Sequence, residues 1–583
     1  MSKVVFTAEQ LQVIEAPPGN LLVSAAAGSG KTAVMTERLL ERLIRGEVSV
    51  DHVLILTFTN AASESMEKRI RKRLTEAMEE ARQDGRTEVA DRLREQLLLL
   101  SRAHISTIHA FCLWLIQNFP HEVVDAAAEP LLEADFSTLD PEAAEQLRQE
   151  ALAAVMDRAY TDAEEQPGEQ ADVFLSLVDN YSSARSDQQL RKLVLNLHNY
   201  LRSLPDYAQV VSKKLTELEE TCRNFSASPH MRYLVQGLRL RLDRALAVVP
   251  ELCRRLEDPL LQFAGKTAQT THEDFAALFQ SLFQTCQAMD GVLERWEAEP
   301  QKVAVWDEIY SLARGMEWKK PRVMKTDSDA KQTFVELLVK SFSDLLYYVD
   351  ASGANPLGKQ CIYPAQRVWT APAEEIEEAH LGTLPLIKRL FGLVLELDEE
   401  YARRKGQRKR IDFADYEHFA LAVLRRPDGG DFCRSQFREV YTDEYQDTSS
   451  IQESILQAVC PDKLFMVGDV KQSIYRFRNA RPETFLQKSA DFKDAKGGRY
   501  FGLNRNFRSE AGILQAINEV FQRVMARDFS GIAYADGHAM EVGRAGSRTR
   551  GRVELWINLE AESANLAENV TETEAAARDC LPP

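Results

Sequence analysis

Leu21-Leu22-Val23-Ser24-Ala25-Ala26-Ala27-Gly28-Ser29-Gly30-Lys31-Thr32 sets an apolar strand, a run of small residues and a Lys-Thr pair in direct succession. Small residues let backbone N–H groups close around a phosphate, a lysine at the end of such a loop reaches the β- and γ-phosphate oxygens, and the hydroxyl beside it helps to hold Mg²⁺. Ala25 stands where the general pattern has its first glycine, and alanine still leaves the loop small. Val34, Met35, Leu39, Leu40 and Leu43 then recur at helical spacing. A chance Gly-Lys-Thr turn would explain neither the strand before the loop nor the helix after it. Residues Ala25, Ala26, Ala27, Gly28, Ser29, Gly30, Lys31 and Thr32 are therefore expected to cradle a nucleoside triphosphate, with Thr32 on the metal.

The chain has 583 residues, enough for roughly three to five domains. No charge-free run approaches the roughly 18 apolar residues that span a bilayer. Met1-Ser2-Lys3-Val4-Val5-Phe6 leads straight into polar sequence without a signal-peptide pattern, so a cytoplasmic protein is expected. The 8 cysteines are widely spaced, with no Cys-x-x-Cys pair and no histidine at ligand spacing, so no zinc or iron–sulfur site is encoded locally. Reduced, mostly buried thiols are expected instead.

A net charge of −17 argues against a protein that coats nucleic acid with its whole surface, and leaves room for a localised basic channel. Arg403-Arg404-Lys405-Gly406-Gln407-Arg408-Lys409-Arg410 is the densest cationic run, and Arg69, Arg71, Lys72 and Arg73 form a smaller one. A solvated helix face and a set of phosphate contacts both produce such runs.

Short apolar strands at 21–24, 53–57, 105–107, 440–443 and 464–468 are each followed by a helical pattern, as in a parallel sheet flanked by helices with ligands at the strands' carboxyl ends. Between about 120 and 410 the sequence turns to long helical periodicity. Strand signals on both sides of this stretch make it an insertion within an α/β domain. The expected division is a motor domain from 1–119 and 411–483, a mostly helical insertion over 120–410, the start of a second α/β domain over 484–559, and an acidic tail over 560–583. The second domain is read from a strand at 500–503, a helix at 510–525 and a strand at 553–557.

Tyr441-Thr442-Asp443-Glu444 ends an apolar strand with the two acids that a phosphate loop needs. Asp443 is suited to hold Mg²⁺ through water, and Glu444 to polarise the attacking water. In Val467-Gly468-Asp469-Val470-Lys471-Gln472-Ser473-Ile474-Tyr475-Arg476-Phe477-Arg478, Gln472 is placed to sense a γ-phosphate. Tyr475 and Phe477 there are either base-stacking rings or core residues. Asn506-Phe507-Arg508-Ser509 offers Arg508 to stabilise charge on a transferring phosphoryl group, supplied from the second α/β domain across a cleft.

Taken in order, Thr7-Ala8-Glu9-Gln10, the phosphate loop, 56–62, 106–112, the Asp-Glu-Tyr-Gln-Asp strand end, the Gly-Asp-Val-Lys-Gln segment and Asn-Phe-Arg-Ser resemble the successive motifs of UvrD-like superfamily 1 helicases. Segments 412–418, 465–478 and 531–535 are similar to the AddA branch, the helicase–nuclease subunits of bacterial AddAB complexes. The resemblance implies an α/β fold: a RecA-like phosphate-loop motor domain with a large α-helical insertion, followed by an incomplete second RecA-like domain. It implies ATP and Mg²⁺ as cofactors, single-stranded DNA and duplex ends as partners, and an AddB-type partner subunit. The implied activity is 3′–5′ translocation in double-strand-break repair by homologous recombination.

Carried onto this sequence, the resemblance makes Gln10 the adenine-reading glutamine and Lys31 and Thr32 the phosphate and Mg²⁺ residues. Asp443 becomes the metal aspartate, Glu444 the general base, Gln472 the residue coupling nucleotide to DNA, and Arg508 an arginine finger. Phe58, Thr59, Asn60, His109, Tyr475 and Phe477 fall at places that contact single-stranded DNA, with helix–strand packing as the alternative for Phe58 and His109. The last helicase motifs and a two-metal nuclease signature are not found. The chain is thus expected to be the N-terminal part of a larger subunit, and an idle ATP- and DNA-binding fragment is the alternative function.

Overall fold

The computed structural model describes residues 5–124, 130–133, 135–181, 186–225, 228–257, 266–299, 304–315, 329–349, 368–525, 532, 534, 537–544, 546 and 547. Short apolar runs buried on both faces favour parallel pairing between helical layers. Six strands follow that rule: β1 (Leu21–Ala25), β2 (Val53–Thr57), β3 (His104–Thr107), β4 (Glu439–Thr442), β5 (Leu464–Gly468) and β6 (Arg499–Leu503). They form one all-parallel sheet in the order β3-β2-β4-β5-β1-β6. The register pairs Val23 with Val467 and Ser24 with Gly468, so the carboxyl ends of β1 and β5 lie side by side. Every residue of β1, β2, β4 and β5 is buried.

The chain divides into two compact units, one of residues 1–136 and 413–583 and one of Ser137–Asp412. In the first, helices α1 (Ala8–Glu15), α2 (Lys31–Ile44) and α3 (Asn60–Gln83) cover the sheet through Val13, Val34, Leu39, Ile70 and Leu74, packed on Leu21, Val23, Ile55 and Val467. Arg38 of α2 is buried and donates to the carbonyls of Val13, Ile14 and Ala16, which ties the last turn of α1 to α2. Helices α4 (Ile108–Asn118), α5 (Phe413–Leu424), α6 (Ser450–Val459) and α7 (Ala511–Val524) belong to the same unit.

Among its described residues the second unit is helical apart from one two-residue strand pair, 137–138 with 410–411. Its helices pack in two clusters, one around Leu147, Leu152, Val194 and Leu397, the other around Leu238, Leu282, Trp306 and Phe342. A buried polar group sits in the first. Asp398 accepts from Tyr207 Oη and lies 3.0 Å from His198 Nε2. The cationic run at 403–410 is largely spent within this unit. Arg403 and Arg404 bind Glu400, Arg404 and Arg408 face Glu150, and the buried Lys405 pairs with Asp412. Among the described residues no helix is long and apolar enough to cross a membrane.

Two expected boundaries move. Arg499–Leu503 does not open a second sheet; it pairs with the free side of β1, from Leu21 with Arg499 to Ala25 with Leu503. The polar stretch before it is a turn after the helix Pro482–Lys493, and a turn and a domain boundary look alike in sequence. The helical unit begins at 137 and not 120. The described residues between 120 and 136 belong to the unit that holds the sheet, where Val123 is buried and the Glu122 carboxylate accepts the Gly429 N–H at 2.9 Å. The expected strand at 553–557 and the tail at 560–583 lie outside the described residues.

Candidate nucleotide site

At the end of β1 the chain enters a loop in which Gly28 (φ 71°) and Gly30 (φ 87°) take the left-handed conformation. Gly30 is the N-cap of α2, so the helix's first-turn N–H groups open onto the loop, which favours an anion there. β6 and the segment after it brace the loop. Ala26 N donates to Leu503 O, Phe507 N to Gly28 O, and Asn506 Nδ2 to Ala27 O at 2.8 Å. Asn506 is 2% exposed, and its Oδ1 accepts the N–H groups of Arg508 and Ser509. A Cβ at Gly28 would come within 2.9 Å of both Asn506 Oδ1 and Arg508 Cβ. Arg508 is therefore seated against the phosphate loop by the segment that follows β6. The Ser29 hydroxyl is buried without a hydrogen-bond partner, a polar atom that fits a phosphate ligand.

Gln10 caps α1 reciprocally with Thr7 and donates to Ser29 O at 2.9 Å. One N–H and one lone pair of its carboxamide remain. Thr7, Gln10, Ser29, Leu503, Arg505 and Phe507 line a small cleft of about 90 Å³. Phe507, 39% exposed, offers that cleft an aromatic ring. It is missing from the sequence-derived set because its segment is read there for Arg508 alone; an aromatic beside the arginine was the available signal.

β4 delivers the two acids. Asp443 N donates to Leu56 O, and Glu444 follows in the left-handed region (φ 51°), a conformation costly for a residue with a side chain. Glu444 Oε2 lies 3.0 Å from Lys31 Nζ. Burial and the neighbouring Glu444 push the Asp443 carboxyl above the usual carboxylate range, opposed by Lys31 and Arg69. Within the smaller cationic cluster, Arg71, Lys72 and Arg73 pair with Glu67, Glu76 and Glu37. Thr32, at the second position of α2, and Asp443 together offer oxygen donors of the kind Mg²⁺ prefers.

Gln446, 1% exposed, lies between the acids and the next segment. Its Nε2 donates to Glu444 Oε2 at 2.9 Å and Asp447 Oδ2 at 3.2 Å, and its Oε1 accepts Asp469 N at 2.9 Å. Asp469 in turn accepts from Gln472 Nε2 at 2.8 Å. Asp447 carries a carboxyl raised to about 6 by burial, and its Oδ1 has no hydrogen-bond partner.

The structure brings Phe58, Tyr475 and Phe477 into one row. Ring centroids lie 4.7 Å apart from Phe58 to Tyr475 and 5.7 Å from Tyr475 to Phe477, with the Arg478 guanidinium over both of the latter. Phe477 is 77% exposed, which excludes a core role for it. Thr59 caps α3 by accepting Ala62 N, and Asn60 opens that helix. His109 joins a different group, 3.3 Å from Glu417 and edge-on to Phe413.

Residues 6–309 and 383–493 match the family model described as the UvrD/REP helicase N-terminal domain. The chain belongs to the UvrD/REP helicase family. Within it, the chain is similar to ATP-dependent helicase/nuclease subunits of the AddA type. The one from Clostridium novyi (strain NT) is 30% identical over 568 residues, 93% of this chain and 41% of the relative. That from Pelotomaculum thermopropionicum is 32% identical over 552 residues, 91% and 39% respectively. The Anoxybacillus flavithermus protein is 31% identical over 559 residues, 92% and 42%. The chain thus spans about two fifths of the length of the curated relatives it matches.

Proposed function

We propose that this chain carries the ATP-hydrolysing motor of an AddA-type DNA helicase, a RecA-like domain interrupted by a helical insertion. The observation that carries the reading is the meeting of Lys31 and Glu444 at 3.0 Å between the phosphate loop and the end of β4, in a unit that also holds the row of Phe58, Tyr475 and Phe477.

Lys31 and the α2 N-terminus hold the phosphates, while Gln10 and Phe507 receive the adenine. Mg²⁺, when bound by Thr32 and Asp443, supplies charge neutralisation at the γ-phosphoryl group. Glu444 takes the proton from the attacking water, and Arg508 stabilises the charge that develops. Phe58, Tyr475 and Phe477 stack on bases of single-stranded DNA, and Thr59, Asn60 and His109 contact the same strand. In the cell the chain acts in the bacterial cytoplasm with an AddB-type partner, moving 3′ to 5′ during recombinational repair of double-strand breaks.

The test is ATP hydrolysis with and without a single-stranded oligonucleotide. Stimulation by DNA that disappears in Lys31→Ala and Glu444→Gln is expected. DNA binding without turnover would favour an idle ATP- and DNA-binding fragment, and hydrolysis indifferent to DNA would exclude the helicase reading.

A further inference from the structure

We infer that Gln446 is a positioning residue that couples the nucleotide carboxylate to the aromatic row, an assignment that rests on the proposed function. Five residues form one hydrogen-bonded path: Lys31 Nζ to Glu444 Oε2, Glu444 Oε2 to Gln446 Nε2, Gln446 Oε1 to Asp469 N, and Asp469 Oδ2 to Gln472 Nε2. Within that path Gln446 turns a donor toward one strand end and an acceptor toward the other, so it ties the end of β4 to the end of β5. Its backbone carbonyl also accepts from Ser473 Oγ at 3.3 Å, two residues before Tyr475.

The site is built to hold that amide in one orientation. Gln446 is buried, a Cβ at Gly468 would collide with its Oε1, and the reversed amide would set its N–H₂ against Asp469 N–H and its oxygen against two carboxylates. A shift of Glu444 on nucleotide binding therefore removes a partner from Gln446. The loss passes through a buried amide to the 469–478 segment. A glutamine that merely filled space would need neither polarity nor this direction.

Hydrogen exchange of peptides covering 469–478, with and without Mg²⁺ and a slowly hydrolysed ATP analogue, tests the inference without requiring turnover. In the wild-type chain, bound analogue is expected to change protection of this segment at least fivefold. In Gln446→Leu the change should vanish while analogue affinity stays within about threefold. Gln446→Met keeps length and bulk but has no amide to donate or accept, and it should lose the change as well; this variant covers the case in which leucine disturbs folding. An unaltered response in Gln446→Met, or no response in the wild type despite bound analogue, would overturn the coupling role while leaving the nucleotide site intact. Failure of the wild type to bind the analogue would overturn the proposed function, and the inference with it.

Discussion

Lys31 Nζ and Glu444 Oε2 lie 3.0 Å apart although 413 residues separate them in the chain. The contact joins the first residue of α2 to the end of β4, and the pair is only partly exposed, with side chains at 12% and 37%. It sets phosphate-binding charge against hydrolytic charge, so the two substitutions should part company. Lys31→Ala is expected to weaken ATP binding. Glu444→Gln, which frees Lys31 from a carboxylate, should bind ATP at least as tightly while losing about 10²–10⁴-fold in turnover. Nucleotide titration alongside steady-state hydrolysis separates them, and equal affinity losses would count against the assignment.

The brace behind the phosphate loop predicts a defect of another kind. Gly28→Ala forces a left-handed alanine, about 1–2 kcal/mol, against Asn506 and Arg508. Asn506→Ala strips partners from Ala27 O and the N–H groups of Arg508 and Ser509. Both variants should lower thermal stability and ATP affinity together, as calorimetry and titration would show. Arg508→Ala, which leaves that brace in place, should reduce turnover far more than affinity.

Exposure separates the aromatic row from the core. Phe477→Ala and Phe58→Ala are expected to weaken single-strand binding by about 1–3 kcal/mol per lost base stack. The melting temperature of Phe477→Ala should stay unchanged, since Phe477 is 77% exposed. Fluorescence anisotropy with a labelled oligonucleotide measures the first quantity and a thermal melt the second. A drop in melting temperature in Phe477→Ala would return that ring to a packing role.

Asp447 supplies a pH signature. Burial raises its carboxyl from 3.8 to about 6, with Glu444 pushing the same way and Ser473, Gln446 and Lys31 opposing. The folded state then holds a proton that the unfolded chain has already released, so this group's contribution to stability falls as pH rises from about 4 through about 6. Asp447→Asn should raise the melting temperature at pH 8 and leave it nearly unchanged at pH 4. An equal shift at both would show that the carboxyl is not titrating in that window.

In the helical unit, Asp398 is the acceptor shared by His198 and Tyr207. Asp398→Ala takes that acceptor from both and should cost about 1–3 kcal/mol, the loss expected when a buried donor is left unsatisfied. A chemical-denaturation curve measures the loss, and Tyr207→Phe should show a smaller one.

The sheet strands were readable because each is a short apolar run ending in polar, small or acidic residues, as at 21–32 and 440–444. The site residues on those ends were readable for the same reason: chemistry at a strand's carboxyl terminus is written beside the strand. Partnership across the chain was not readable. Arg499–Leu503 has the same local pattern whether it opens a new sheet or completes an old one, and only the vacant side of β1 decided it. The 403–410 run likewise depends on where Glu150 and Glu400 stand, which helical periodicity does not say. Phe507 has only its place beside Arg508 as a local sign and Gln446 none beyond its residue type; a cleft and a set of hydrogen bonds single them out.

The amino-acid sequence by itself determined the phosphate loop, the paired acids and the order of motifs, because backbone conformation over a few residues and the chemistry of adjacent side chains are local properties. Tertiary structure alone decided that Lys31 meets Glu444, that Asn506 braces Gly28 and Arg508, and that Gln446 spans two strand ends. Those relationships come from parallel strands brought side by side by buried apolar faces, and the pairing of strands hundreds of residues apart is settled by burial over the whole unit rather than by any one segment.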